Sequence, residues 1–216
     1  MARAIAAMQT TLFGLGGGAH RKVGYEGPAA SLWLGAFSRR LAREMGGFDE
    51  ALFRSEDNDF YQRIRSRGGR LYLSARIRAT YVCRATLGAL ARQYLVTGTE
   101  IMPTLVRNPR AFGWRHLAPG AALIGLLALV VLARGGSPYA VAARWLMACA
   151  AAVYVGALLG TAWKGARRAG ASVFLPSLAV CFTLHIMYGI GTLAGVIKLP
   201  FARRRQTSPG SVSRAS

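Results

Sequence analysis

The sequence predicts an α/β domain followed by an α-helical transmembrane region, and three observations carry that expectation. Short apolar runs alternate with amphipathic helical patterns as far as about His116. All eight carboxylates lie between Glu26 and Glu100, so residues 101–216 hold no acid. From Leu117 onward, Leu, Ala, Val, Ile and Gly dominate, a composition suited to lipid rather than to a surface wetted on every side.

In chain order, residues 1–30 carry the turn signals GLGGGAHRK and GYEGP without clear periodicity and are expected to be loop. Ser31 to Ser38, SLWLGAFS, reads as a short buried strand, and RRLAREMGG after it as a helix stopped by Gly46 and Gly47. Ser55 is placed to cap a helix whose first turn holds Glu56, Asp57 and Asp59, where negative charge offsets exposed amides and the helix dipole. Phe60 and Ile64 share one face of it, and Gly68 and Gly69 end it. RLYLSARIRATYV alternates as a strand or strand pair. Thr86 then caps TLGALARQYLVTG, with Leu87, Leu90, Ala91, Tyr94 and Leu95 on one face.

These elements give a domain over 1–116 and a membrane region over 117–200, with apolar segments at about 117–133, 140–163 and 172–197. A crossing needs roughly 20 residues, so the first segment is marginal and the other two are ample. The remainder, 201–216, is a basic polar tail expected to be disordered. Orientation stays open. With the first half in the cytoplasm, three crossings would put Arg203, Arg204 and Arg205 outside, whereas WKGARRAG between the last two spans suits the cytoplasm. Either the short first segment lies in the interface or the last does not cross fully. The N-terminus has a single Arg and an interrupted apolar run, so no signal peptide is expected.

The net charge of +20 is spread over both halves. Beside apolar spans, membrane lipid is its simplest partner. Nucleic acid is not expected, because the basic residues are interleaved with apolar spans and show no aromatic-basic motif. Cys83, Cys149 and Cys181 have neither paired spacing nor a His at ligand spacing and are expected to be buried and unpaired. GLGGGAHRK lacks the phosphate-loop pattern of glycines and Lys.

Chemistry concentrates in GGFDEALFRSEDNDFYQRIRSRGG, residues 46–69, with Asp49, Glu50, Glu56, Asp57 and Asp59 close together. Paired carboxylates at a helix start suit a general base, since a close pair raises the proton affinity of one member. Ordinary helix-start acids have the same spacing. Trp33, Tyr61 and Trp114 are placed either to stack on a sugar or to serve as core and interface aromatics.

The order Gly-Gly-Phe-Asp-Glu, then Glu-Asp-x-Asp, then an Arg-containing helix ending in Gly-Gly, resembles the acceptor-side signature of family 2 glycosyltransferases. LYLSARIRATYVCRATLGALARQYLVTG, followed by RNPRAFGWRHLAP and hydrophobic spans, is similar to their succinoglycan-biosynthesis type, over roughly Ala2 to Leu199 and most closely between Gly46 and Gly98. The resemblance implies a partial glycosyltransferase A-type, Rossmann-like domain in a bacterial inner-membrane, multi-pass protein with its soluble part cytoplasmic. It implies transfer of sugar from a nucleotide sugar to a lipid-linked or polysaccharide acceptor in exopolysaccharide or cell-envelope synthesis. Asp57 would be the base and Glu56 its helper, with Asp49 and Glu50 shaping the acceptor pocket. Arg92, Gln93 and Tyr94 fall where relatives carry a Gln-x-x-Arg-Trp motif near the diphosphate, a partial match. A divalent cation, Mg or Mn, belongs to the complete enzyme. None is assignable here, because no Asp-x-Asp precedes Gly46 and the relatives' acidic stretch is replaced by Gly27-Pro28-Ala29-Ala30. The expectation is therefore an acceptor-side portion needing a donor-binding half, with a separate donor-binding chain as a candidate partner. The alternative is a non-catalytic membrane protein that docks on a polysaccharide-synthesis complex.

Overall fold

The computed structural model describes residues 1–15, 18–22, 24–136 and 138–206. Its elements are α1 (Ala2–Gln9), α2 (Leu12–Leu15), β1 (Gly27–Pro28), α3 (Arg39–Glu44), α4 (Glu56–Ser66), β2 (Tyr72–Leu73), α5 (Leu87–Arg107), α6 (Ala118–Arg134), α7 (Tyr139–Ala169) and α8 (Phe174–Gln206).

The α/β, Rossmann-like expectation is wrong for this chain: the described residues are mostly helical. Strand is confined to one antiparallel pair of two residues each, with Gly27 opposite Leu73 and Pro28 opposite Tyr72. SLWLGAFS forms no strand, and Leu34 within it lies at φ 55°. An extended apolar segment is stable only beside further strands that take its backbone hydrogen bonds. With a single short pair available, the segment stays irregular, and Trp33, Leu34 and Phe37 remain exposed. Residues 1–30 also differ from the expected loop. Ala4, Ile5 and Met8 fall on one face of α1 and are buried at 1% exposure or less. Ala19–Arg21 makes a single 3-10 turn, while Gly16 and Gly17 lie outside the described residues.

Local signals otherwise act as their chemistry requires. The Thr86 hydroxyl accepts from Ala89 N (3.2 Å) at the start of α5, and the Ser38 hydroxyl accepts from Leu41 N (3.1 Å) at the start of α3. Gly47 N donates to Ala42 O (2.8 Å) with Gly46 and Gly47 both at positive φ, so the pair closes α3 where L side chains would be strained. Ser55 precedes α4 but its side chain makes no capping bond, and its φ is 68°.

Two cores result. In the larger one, α1, Leu90 and Tyr94 of α5, Ala166 of α7 and Val180, Cys181 and Leu184 of α8 pack together. The smaller joins Phe60, Tyr61 and Ile64 of α4 to Leu71, with Leu41 and Ala42 of α3 against it. α5 runs parallel to α8, because successive contacts climb both helices together. Tyr94 meets Tyr188 at a ring separation of 6.5 Å, Gly98 lies against Tyr188 O and Thr192 N, and Gly195 lies against Thr99 O and Met102.

α7 and α8 are long and apolar enough to cross a membrane, and protein covers less than half of the apolar stretch of each. α6, with 17 residues, is shorter. α7 leaves Val141, Leu146 and Val153 exposed. Of the three cysteines, all unpaired, only Cys181 is buried; Cys149 is exposed on the bare side of α7 and Cys83 is intermediate. The expected tail begins later than 201, since α8 continues to Gln206; residues 207–216 lie outside the described residues.

A Cβ at Gly98 would overlap the Tyr188 carbonyl oxygen and stand 2.9 Å from Thr192 N, whereas one at Gly160 meets nothing within 4 Å. Gly98→Ala is expected to destabilise the protein by roughly 1–3 kcal/mol, as overpacking against backbone does. Gly160→Ala should stabilise by about 0.5–1 kcal/mol through helix propensity. Denaturant titration of helicity in detergent measures both.

Candidate functional site

The first turn of α4 separates its carboxylates by direction. Asp59 is 5% exposed, and its two oxygens accept from Arg63 Nε (2.8 Å) and Asn108 Nδ2 (2.8 Å). It is a fully partnered structural anion. Asp57 is partly buried and has no cationic partner among the described residues; its Oδ1 accepts from the backbone N–H (2.7 Å) and side-chain amide (3.2 Å) of Asn58. Burial pushes the Asp57 carboxyl upward, the backbone amides oppose this, and the charge of Glu56 adds to the rise. Glu56 is partly exposed and likewise forms no ion pair among the described residues.

One helical turn on, Tyr61 brings its hydroxyl to the Gly35 backbone. Burial raises that phenol, the Gly35 contact opposes the rise, and the Asp57 charge reinforces it. A Cβ at Gly35 would overlap the Tyr61 hydroxyl, so only glycine admits this approach. Leu34 and Ser55, the two non-glycine residues at positive φ among those described, adjoin this spot, one before Gly35 and the other before Glu56. Backbone strain gathered around one half-buried carboxylate is a feature of functional sites.

Asp49 is occupied elsewhere. It pairs bidentately with Arg107, at 2.5 Å to Nε and 3.0 Å to Nη2, and accepts from Ala51 N at 3.0 Å. Burial would raise its carboxyl, but the Arg107 bond, the Ala51 amide and the charges of Arg107 and Arg63 outweigh this and hold it below the usual range. Glu50 is exposed beside it. An open cleft of about 840 Å³ lies here, lined by Asp49, Glu50, Asp59, Arg63, Arg107 and Asn108 among others, and Asp57 does not line it. Arg63, Arg107 and Asn108 were not singled out from sequence. The Asp59 and Arg63 spacing of i and i+4 was a legible signal for the first, but nothing local points Arg107 at a residue 58 positions earlier.

The Arg92, Gln93 and Tyr94 group is not assembled at Asp57. Arg92 is exposed on α5. Gln93 joins Arg84 (3.0 Å) and Tyr81 (3.4 Å), and Tyr94 is 6% exposed in the larger core. The α4 residues attach near the other end of α5, through Asn108 to Asp59 and Gln62. Arg92 is 16 residues away from Asn108 along that helix, roughly 24 Å at 1.5 Å per residue. Of the aromatic candidates, Tyr61 is buried, Trp33 packs edge-on against Tyr81 at 5.4 Å, and Trp114 is 84% exposed.

Of the letters Asp57-Asn58-Asp59, Asp59 already serves Arg63 and Asn108, and no cluster of three or more metal-ligating side chains occurs among the described residues. No protein family, curated protein or solved structure matches the chain.

The two aspartates should respond to pH in opposite senses. Asp57 has a raised folded pKa, so its neutral form stabilises the protein below the ordinary 3.8, and this is lost as pH rises through the folded value. Asp57→Asn should therefore unfold at higher temperature than the parent near neutral pH and at the same temperature below pH 3.8. Asp49 has a depressed pKa, so its pairing stabilises above 3.8 and fades as pH falls further. Arg107→Ala should cost on the order of 1 kcal/mol at neutral pH and less in acid. Thermal melts across pH check both.

Proposed function

We propose that this chain carries the acceptor-side base of a membrane-attached, family 2 type glycosyltransferase acting in exopolysaccharide or cell-envelope synthesis. The observation that carries this is Asp57: a half-buried carboxylate, without a cation, of raised proton affinity, beside two strained residues and a glycine-only approach. The sequence from Gly46 to Gly69 places the family's Glu-Asp element on Glu56 and Asp57. A sugar hydroxyl is a poor nucleophile, so an inverting transfer needs a base whose proton affinity approaches working pH. The acceptor oxygen bonds to the anomeric carbon, the bond to the nucleoside diphosphate breaks with its electron pair leaving on phosphate, and the acceptor proton passes to Asp57. The negative charge of Glu56 helps by raising the proton affinity of Asp57. Donor recognition falls in this proposal to a further unit, on a separate chain or elsewhere in a longer polypeptide, since no Asp-x-Asp precedes Gly46.

Multi-pass attachment through α7 and α8 to a bacterial inner membrane, with the α4 region cytoplasmic, belongs to the same proposal. α7 supports it best. Trp145 and Trp163 are both exposed, bracket 17 uncharged residues and are themselves followed outward by Arg144 and Lys164. That stretch is roughly 26 Å long, close to a hydrocarbon layer with aromatic belts at its edges.

Membranes containing the chain, supplied with a donor-binding unit, nucleotide sugar and a lipid-linked acceptor, test the catalytic claim. Asp57→Asn should lower transfer by about 10²- to 10⁴-fold with unchanged membrane expression, and undiminished turnover would remove Asp57 as the base. A non-catalytic docking role is the second reading, favoured by the sparse strand content. Stable capture of polysaccharide-synthesis proteins, with no transfer by the supplemented parent chain, would establish it.

A further inference from the structure

We propose that the groove between α1 and the C-terminal end of α7 binds the headgroup of an anionic phospholipid. The groove encloses about 400 Å³ and is lined by Arg3, Ala6, Ala7 and Thr10 on one side and by Gly165 and Arg168 on the other. Its lining is mostly small side chains and a glycine, and Arg3 and Arg168 are its two charged lining residues. Arg3 donates through Nη2 to the Ala169 carbonyl, which fixes it at the end of α7 and leaves its remaining N–H groups for an oxygen-rich ligand. Arg168 is exposed and makes no hydrogen bond or ion pair among the described residues.

Two cations lining one groove favour an anion between them. The chain does not supply that anion: its carboxylates all fall between Glu26 and Glu100, and none of the ion pairs among the described residues involves Arg3, Lys164, Arg167 or Arg168. Depth selects lipid as the source. Arg168 is five residues beyond the exposed Trp163, about 7.5 Å further along the helix than the aromatic that marks the edge of the apolar stretch. This is headgroup level, where an acyl chain descends along the exposed apolar face of α7 while the phosphate reaches the two guanidinium groups. Basic pockets at the ends of membrane helices recognise phosphate-bearing lipids by this combination. The inference rests on membrane attachment and is independent of sugar transfer.

Native mass spectrometry of the purified full chain in non-ionic detergent, titrated with phosphatidylglycerol and with phosphatidylcholine, provides the test. One phosphatidylglycerol should be retained at least about fivefold more tightly than phosphatidylcholine, and Arg168→Gln should weaken it about fivefold, the effect of one cation at a membrane surface. Arg3→Gln should weaken it at least as much. Arg167→Gln, an equal change of charge at a residue that does not line the groove, should leave binding unchanged. Since Arg3 also holds α1 to α7, Arg168→Gln carries the test, with circular dichroism confirming that helicity matches the parent. Equal loss in Arg167→Gln and Arg168→Gln would overturn the site in favour of general surface charge. Equal retention of phosphatidylcholine, or displacement by millimolar inorganic phosphate, would overturn the lipid assignment.

Discussion

The close approach of α5 to α8 is the constraint on which the other arrangements depend. Gly98, Gly191 and Gly195 have no side chains, and backbone from the opposite helix occupies the space where a Cβ would stand. Packing at that distance gives dispersion contacts along both helices and fixes their register. Once α5 is held on α8, its first turns carry Leu90 and Tyr94 into the larger core, and its far end presents Thr104, Arg107 and Asn108 to the α4 region. The small α3–α4 core and the loops around it are tied to α5 through those three residues.

That attachment assigns different tasks to neighbouring acids. Asp49 and Asp59 are satisfied by Arg107, Arg63 and Asn108 and spend their charge on holding loop and helix to α5. Asp57 is turned away from these cations, and its charge is opposed by burial without a compensating guanidinium. The large polar cleft therefore belongs to the structural pair, while proton affinity is tuned beside Tyr61 and Gly35. A tuned carboxylate outside the cleft between Asp49 and Arg107 suits a surface completed by another unit.

Local chemistry was legible where the cause is local. The Thr86 cap, the glycine stops after α3 and α4, and the face shared by Phe60 and Ile64 all follow from residues within a few positions of one another. The expected strands failed for the opposite reason: a strand is defined by partners elsewhere, and SLWLGAFS had no ladder to join among the described residues. Likewise α1 looked like loop because its apolar face is short, and it is helical because α7 and α8 bury Ala4, Ile5 and Met8.

By itself the sequence determined that the chain is basic, that its second half is apolar and free of acid, and that a carboxylate cluster opens the helix at Glu56. Those are properties of composition and short spacing. Tertiary structure alone decided that the molecule is helical, that Asp59 is clamped while Asp57 is not, and that Arg92, Gln93 and Tyr94 are dispersed along α5 instead of meeting Asp57. The reason is that burial and ion pairing depend on residues many positions apart, here Asp49 with Arg107 and Asp59 with Asn108, whose encounter no local pattern encodes.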